Sequence, residues 1–210
     1  MKLVVITPSK LEDNEISAVN QMFEAGLETL HLRKSRLSTK ELDEYIKQIP
    51  THFHNRIIIH SHHKLAIKYN LKGIHFTDSH LNKKFRLWWN NKMIYIRKPN
   101  LIKTISYKHV DELYVDEKIK ISYCFLGTMF HNVSGELYSG FYTEKIEAVI
   151  KNSGKKVYAR GGVNEKSVEL AYKLGFHGVA IYGYLWKSTA PFTKYIELIR
   201  FCKEKNIPLD

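Results

Sequence analysis

Tyr158-Ala159-Arg160-Gly161-Gly162-Val163-Asn164 and, after one amphipathic stretch, Gly178-Val179-Ala180-Ile181-Tyr182-Gly183 decide the fold. The first is a β-branched and aromatic run that ends in a glycine pair and a helix-capping asparagine. The second is an apolar run that again ends in glycine. Together they spell strand, glycine turn, helix, strand, glycine. Adjacent glycines let backbone N–H groups turn toward an anion with no Cβ in the way. In a (β/α)8 barrel, the loops after the last two strands build phosphate sites from such units. Gly161, Gly162, Tyr182 and Gly183 are therefore candidate phosphate binders. The plainer alternative is that the glycine pair only makes a tight turn.

Working outward, the same alternation fills the chain. Short β-branched runs predict strands at residues 3–7, 29–33, 56–60, 73–76, 103–107, 121–127, 155–160 and 178–182. Helical stripes separate them. Ile16, Val19, Met22 and Phe23 form one that Gly26 stops. Ser38-Thr39-Lys40-Glu41 has capping-box spacing and opens another that ends at Pro50. Leu65, Ala66 and Tyr69 make a third. Residues 81–100 mix both signals and read as a helix followed by an irregular segment. Residues 110–116 read as a short helix, 131–140 as a loop, and 143–151, 164–174 and 192–203 as helices. Alternating strands and helices imply parallel pairing. About eight units in 210 residues, with no linker or low-complexity segment, predict one (β/α)8 barrel domain over residues 1–210.

Composition narrows the function classes. The formal net charge is +12, which favours anionic partners. The lysines are scattered along helices, and no basic arm or nucleic-acid motif is present, so a phosphorylated small molecule is favoured over nucleic acid. No apolar run is long enough to cross a bilayer, and the N-terminal run is too short for a signal peptide, so no membrane role is expected. Two distant cysteines, Cys124 and Cys202, suit a reduced, cytoplasmic setting.

Barrel active sites lie at the C-terminal strand ends. Those positions hold His31, Arg33, Lys34, His60, Ser61, His62, His63, His75, Asp78, His80, Ser106, Lys108, His109 and Arg160. Neutral imidazole carries protons near neutral pH, and arginine or lysine beside it suits an anionic substrate. His31 and Arg33, two apart on a strand, both point inward, so Arg33 can hold a phosphate or carboxylate. Its alternative is pairing with a neighbouring acid. His60 and His62 share this spacing and, with His80, form a candidate metal set. Asp78 can orient a histidine or bind Mg²⁺.

Seven stretches carry a resemblance: Leu30-His31-Leu32-Arg33-Lys34, residues 57–63 with Leu65-Ala66, Gly73-Ile74-His75-Phe76, and residues 106–112, 125–130, 159–163 and 178–183. In this order they resemble the thiamine phosphate synthase and thiazole tautomerase (TenI-like) superfamily over nearly the whole chain. The resemblance implies the same barrel and a phosphorylated thiazole ligand, its phosphate on Gly161, Gly162 and Tyr182-Gly183. In the synthase branch the thiazole nitrogen captures the cation of a pyrimidine methyl pyrophosphate, with Mg²⁺ held by carboxylates and a lysine on the pyrophosphate.

The chain departs from that pattern. The expected Asn-Asp-Arg reads His60-Ser61-His62, and the second metal carboxylate falls at His80, with Asp78 displaced by two residues. The lysine falls at Gly135, and the expected glutamine is His31. Arg33, Lys34 and Lys108 could partly substitute. The tautomerase branch moves a proton on thiazole phosphate carboxylate and requires no metal. Its histidine base aligns with Lys108, beside His109, and His31, His60 or His62 could serve instead. The resemblance thus favours a tautomerase-like enzyme, with a thiamine phosphate synthase as one alternative. A non-catalytic carrier or regulator is another. Trp88 and Trp89 suit an aromatic contact with a partner, so a homodimer is one option.

Overall fold

The computed structural model describes residues 1–77, 98–115, 119–132, 134–138 and 142–209. Asp78, His80, Trp88 and Trp89, and most of the helix expected over 81–100, lie outside the described residues. Eight parallel strands close into one barrel in sequence order. They are β1 Lys2–Ile6, β2 Leu30–Leu32, β3 Ile57–Ile59, β4 Gly73–Phe76, β5 Ile102–Tyr107, β6 Tyr123–Leu126, β7 Val157–Arg160 and β8 Gly178–Ile181. The helices described between and after them are α1 Glu15–Glu24, α2 Thr39–Lys47, α3 Lys64–Lys68, α4 Thr143–Asn152, α5 Glu165–Lys173, α6 Gly183–Trp186 and α7 Pro191–Glu204. This is the (β/α)8 architecture that the alternation predicts. No helix among the described residues is long and apolar enough to cross a membrane.

The chain forms two compact units, Thr7–Ile105 and Met1–Ile6 with Ser106–Asp210. In the first, β2, β3, β4 and β5 pair in parallel, with His31 opposite Ile58, Ile59 opposite Ile74 and His75 opposite Thr104. Ile57, Ile58 and Ile59 are all fully buried, as expected for parallel strands covered on both faces. In the second, β6, β7, β8 and β1 pair in parallel, with Phe125 opposite Tyr158 and Lys2 opposite Gly178. Tyr123 stacks on Tyr158 with ring centroids 4.2 Å apart, giving this unit an aromatic core layer. Both cysteines are buried and unbridged.

Several local expectations meet their geometry. Ser38 Oγ accepts the Glu41 N–H, and the Glu41 carboxylate accepts the Ser38 N–H, so the capping box at α2 is formed. Ser38→Ala is expected to lower stability by about 1 kcal/mol in urea titration, whereas Ser38→Thr retains most of it. Two short helical segments differ from expectation. Residues 110–114 form a 3-10 rather than an α-helix, and Thr51–Arg56 continues as a 3-10 turn beyond Pro50. The four-residue α6 directly after β8 has no counterpart in the sequence reading.

Candidate functional site

In the unit of Thr7–Ile105, three adjacent strands bring three histidines together. His31 lies on β2, His60 one residue past β3, and His75 on β4. All three are buried. Nδ1 of His31 lies 2.9 Å from Nε2 of His60, so one ring donates and the other accepts. His60 and His75 stack with centroids 4.1 Å apart, and His75 Nδ1 lies 2.8 Å from Thr104 Oγ1 on β5. Burial, helped by the charge of Lys72, pulls the His31 pKa down to about 3. Burial also drives His60 well below its ordinary value, and the neighbouring Arg33 and imidazoles of His75, His31 and His63 disfavour a further positive charge there. His31 and His60 are thus held neutral, so far down that they are weak bases at neutral pH.

The other candidates in this unit take different places. His62 does not join His60, because its backbone enters the left-handed region (φ +51°) and turns the ring away. Its Nδ1 meets Thr39 Oγ1 at 2.7 Å and its Nε2 meets the Leu37 carbonyl at 3.0 Å. The expected set of His60, His62 and His80 is thus replaced, among the described residues, by His31, His60 and His75. Lys34 is not poised for substrate. Its side chain is fully buried and donates to Glu15 Oε2 and the Lys10 carbonyl, each at 2.5 Å. Of the neighbouring pair, Lys34 therefore takes the buried acid. Arg33 is half-buried and is anchored through its N–H to Thr7 Oγ1 at 2.9 Å. Ser61, where the resemblance expects a carboxylate, is half-buried with its hydroxyl 3.5 Å from the Lys34 carbonyl.

In the unit of Met1–Ile6 and Ser106–Asp210, the glycine pair forms a turn fixed by several hydrogen bonds. Gly161 and Gly162 both have positive φ, +88° and +70°. The Met129 and Phe130 N–H groups donate to the carbonyls of Arg160 and Gly161, at 3.0 and 3.1 Å. Asn164 caps α5 reciprocally with Ser167, whose hydroxyl also donates to the Gly162 carbonyl at 3.2 Å. These bonds fix the pair directly before a helix N-terminus, where N–H groups and the helix dipole favour an anion. Arg160 donates to Ser106 Oγ and to the Gly127 carbonyl, both at 3.0 Å. Its guanidinium is thus aimed along the ends of β5 and β6. After β8, Tyr182 is exposed and Gly183 opens α6. Lys108 and His109 are exposed, and their N–H groups both donate to Glu112 Oε2, at 2.6 and 2.8 Å.

Mg²⁺ asks for carboxylate and water oxygens. Among the described residues, the positions where the resemblance puts that site offer imidazoles and the Ser61 hydroxyl, while Glu15 is committed to Lys34 and Tyr45. This donor set does not fit Mg²⁺. Thr104 and Glu15 were not legible as site residues, because nothing local marks a lone threonine or glutamate whose partners lie 19 to 30 positions away.

Comparisons with known proteins agree with this architecture. The family model described as thiamine monophosphate synthase matches residues 3–185. The thiamine-phosphate synthase of Persephonella marina is 26% identical over 196 residues, covering 89% of this chain and 88% of that protein. That of Pyrococcus abyssi is 24% identical over 187 residues, covering 86% and 84%. Among solved structures, thiamine phosphate pyrophosphorylase from Bacteroides thetaiotaomicron superposes with a TM-score of 0.75 at 23% identity over 100% of both chains. The Pyrococcus furiosus enzyme of that name gives 0.74 at 20% identity over 97% and 96%.

Proposed function

Because the chain belongs to the thiamine monophosphate synthase family, we propose that it joins a pyrimidine methyl pyrophosphate to a thiazole phosphate and releases pyrophosphate. The curated relatives named thiamine-phosphate synthase support this over the tautomerase reading. The observation that carries the choice is the state of the histidines. Proton abstraction needs a base whose pKa lies near the working pH. His31 is pulled to about 3, His60 is driven well below its ordinary value, and His62 has both ring nitrogens engaged. Coupling needs anion binding and a dry, ordered site more than it needs a base.

In the proposed reaction the methylene C–O bond breaks, and the electron pair leaves with pyrophosphate. The ring nitrogen of the thiazole forms the new C–N bond with its lone pair. The thiazole phosphate binds the N–H groups around Gly161-Gly162 and Tyr182-Gly183. Arg160 and Lys108 supply counter-charge that an ionising pyrophosphate requires. The chain works as one catalytic domain.

The test is incubation of the purified protein with hydroxymethylpyrimidine pyrophosphate and thiazole phosphate, followed by quantitation of thiamine phosphate and pyrophosphate. Equal amounts of both products are expected. Arg160→Gln is expected to lower kcat/KM by about 10- to 100-fold, the worth of a charge-assisted bond to phosphate. Absence of thiamine phosphate, with turnover of thiazole phosphate carboxylate instead, would hand the site to the tautomerase reading. Tight thiazole phosphate binding without either turnover would leave the carrier.

A further inference from the structure

We infer that His31, His60 and His75 form a three-imidazole site for one divalent first-row transition ion, of which Zn²⁺ is the probe. The parallel register builds it. Ile59 lies opposite Ile74, so His60 comes next to His75, and His31 stands on the adjoining strand. One ring nitrogen from each histidine lies within 4.8 Å of the other two. A tetrahedral zinc with bonds of about 2.0–2.1 Å holds its nitrogens about 3.3 Å apart. The His31–His60 pair is already at 2.9 Å, so only a small opening there and a closing of His75 are required. Thr104 Oγ1 sits 2.8 Å from His75 Nδ1. That is the usual outer hydrogen bond that fixes a ligand histidine's tautomer.

The chemistry selects the class of ion. Three neutral imidazoles suit zinc, cobalt, nickel or copper, and a hard cation such as Mg²⁺ finds no carboxylate among these ligands. Lys72 and Arg33 place positive charge nearby. That field weakens any purely electrostatic cation site and favours an ion with strong nitrogen bonds. It also favours an anionic fourth ligand, a hydroxide or a phosphate oxygen. Three protein ligands with one open position is the pattern of catalytic rather than structural zinc sites.

Metal-stripped protein is dialysed against micromolar Zn²⁺ and analysed by elemental mass spectrometry, and Co²⁺ is titrated while visible absorption is followed. One retained equivalent, and the intense visible bands of tetrahedral cobalt, are expected. His31→Ala, His60→Ala and His75→Ala should each weaken Zn²⁺ binding by about 100-fold or more, and His131→Ala should not. Circular dichroism checks that each variant folds. Should one fail to fold, the wild-type result still decides. Substoichiometric zinc, octahedral cobalt, or retention unchanged in the folded variants would overturn the site. Mg²⁺ displacing Zn²⁺ at equal concentration would do the same. The assay contains no pyrimidine or thiazole, so its failure leaves the coupling proposal standing, and the converse holds.

Discussion

Gly162→Ala is expected to destabilise the protein by about 3 kcal/mol or more and to abolish phosphate-ligand binding. Two independent costs combine. At φ +70° an L-residue loses about 1–2 kcal/mol to contact between its Cβ and the adjacent backbone. The second cost is specific to this site. A Cβ on Gly162 would lie 1.8 Å from the Phe130 carbonyl oxygen and 2.4 Å from its carbon. Phe130 cannot retreat easily. It is fully buried, its N–H donates to the Gly161 carbonyl, and it bridges to Leu137. Either the loop after β6 or the turn after β7 must therefore move, and with it the N–H groups assigned to the phosphate. Gly154→Ala is the internal control. It has a similar φ of +65° but meets nothing within 4 Å, so it should lose only about 1 kcal/mol. Urea midpoints of both variants make the comparison. Equal shifts would show that the close approach to Phe130 contributes nothing.

That glycine pair also shows what the sequence discloses. Its position after a β-branched run and before a capping asparagine is a local pattern, and the fold follows from repeating such patterns. Strands such as Ile57–Ile59 and helices such as Thr39–Lys47 are written in adjacent residues, so their existence was legible. The meeting of histidines was not. His60 and His62 are two apart and look like partners on one strand face. However, β3 ends at Ile59, and His62 turns out at positive φ. His60 instead meets His31 and His75, 29 and 15 positions away, because parallel pairing sets strand against strand. The register that decides this depends on helix and loop packing, which no local pattern encodes. Arg160 is the intermediate case. Its place at a strand end is legible, while its clamp to Ser106 and Gly127 needs three strands to be assembled. Lys34 misleads in the same way. Beside Arg33 it reads as a second anion binder, yet it lies two residues past the end of β2 and its ammonium meets Glu15 on α1.

From that ion pair comes the other large effect. Glu15→Gln is expected to destabilise the protein by about 3–5 kcal/mol, the usual result of removing one partner from a buried pair. Both side chains are fully buried, and their contact is 2.5 Å. Burial already lowers the Lys34 pKa, with Glu15 pulling it back up. Without the carboxylate, the ammonium keeps the neutral Lys10 carbonyl as an acceptor but loses its counter-charge, and it is driven further toward the neutral amine. Lys34→Met alone should be comparably harmful, because Glu15 would be left with two neutral donors, the Tyr45 hydroxyl and the Glu12 N–H, at 2.7 and 3.3 Å. Removing both charges should hurt less than removing either. In Glu15→Leu with Lys34→Met, neither charge is stranded, and the main residual cost is the Tyr45 hydroxyl left without its acceptor, about 1–3 kcal/mol. Adding Tyr45→Phe should recover most of that. Urea denaturation of the two single variants, the double and the triple closes the cycle. If the double variant loses the sum of the two singles, the charges act independently. Lys34 would then be free to serve substrate after all.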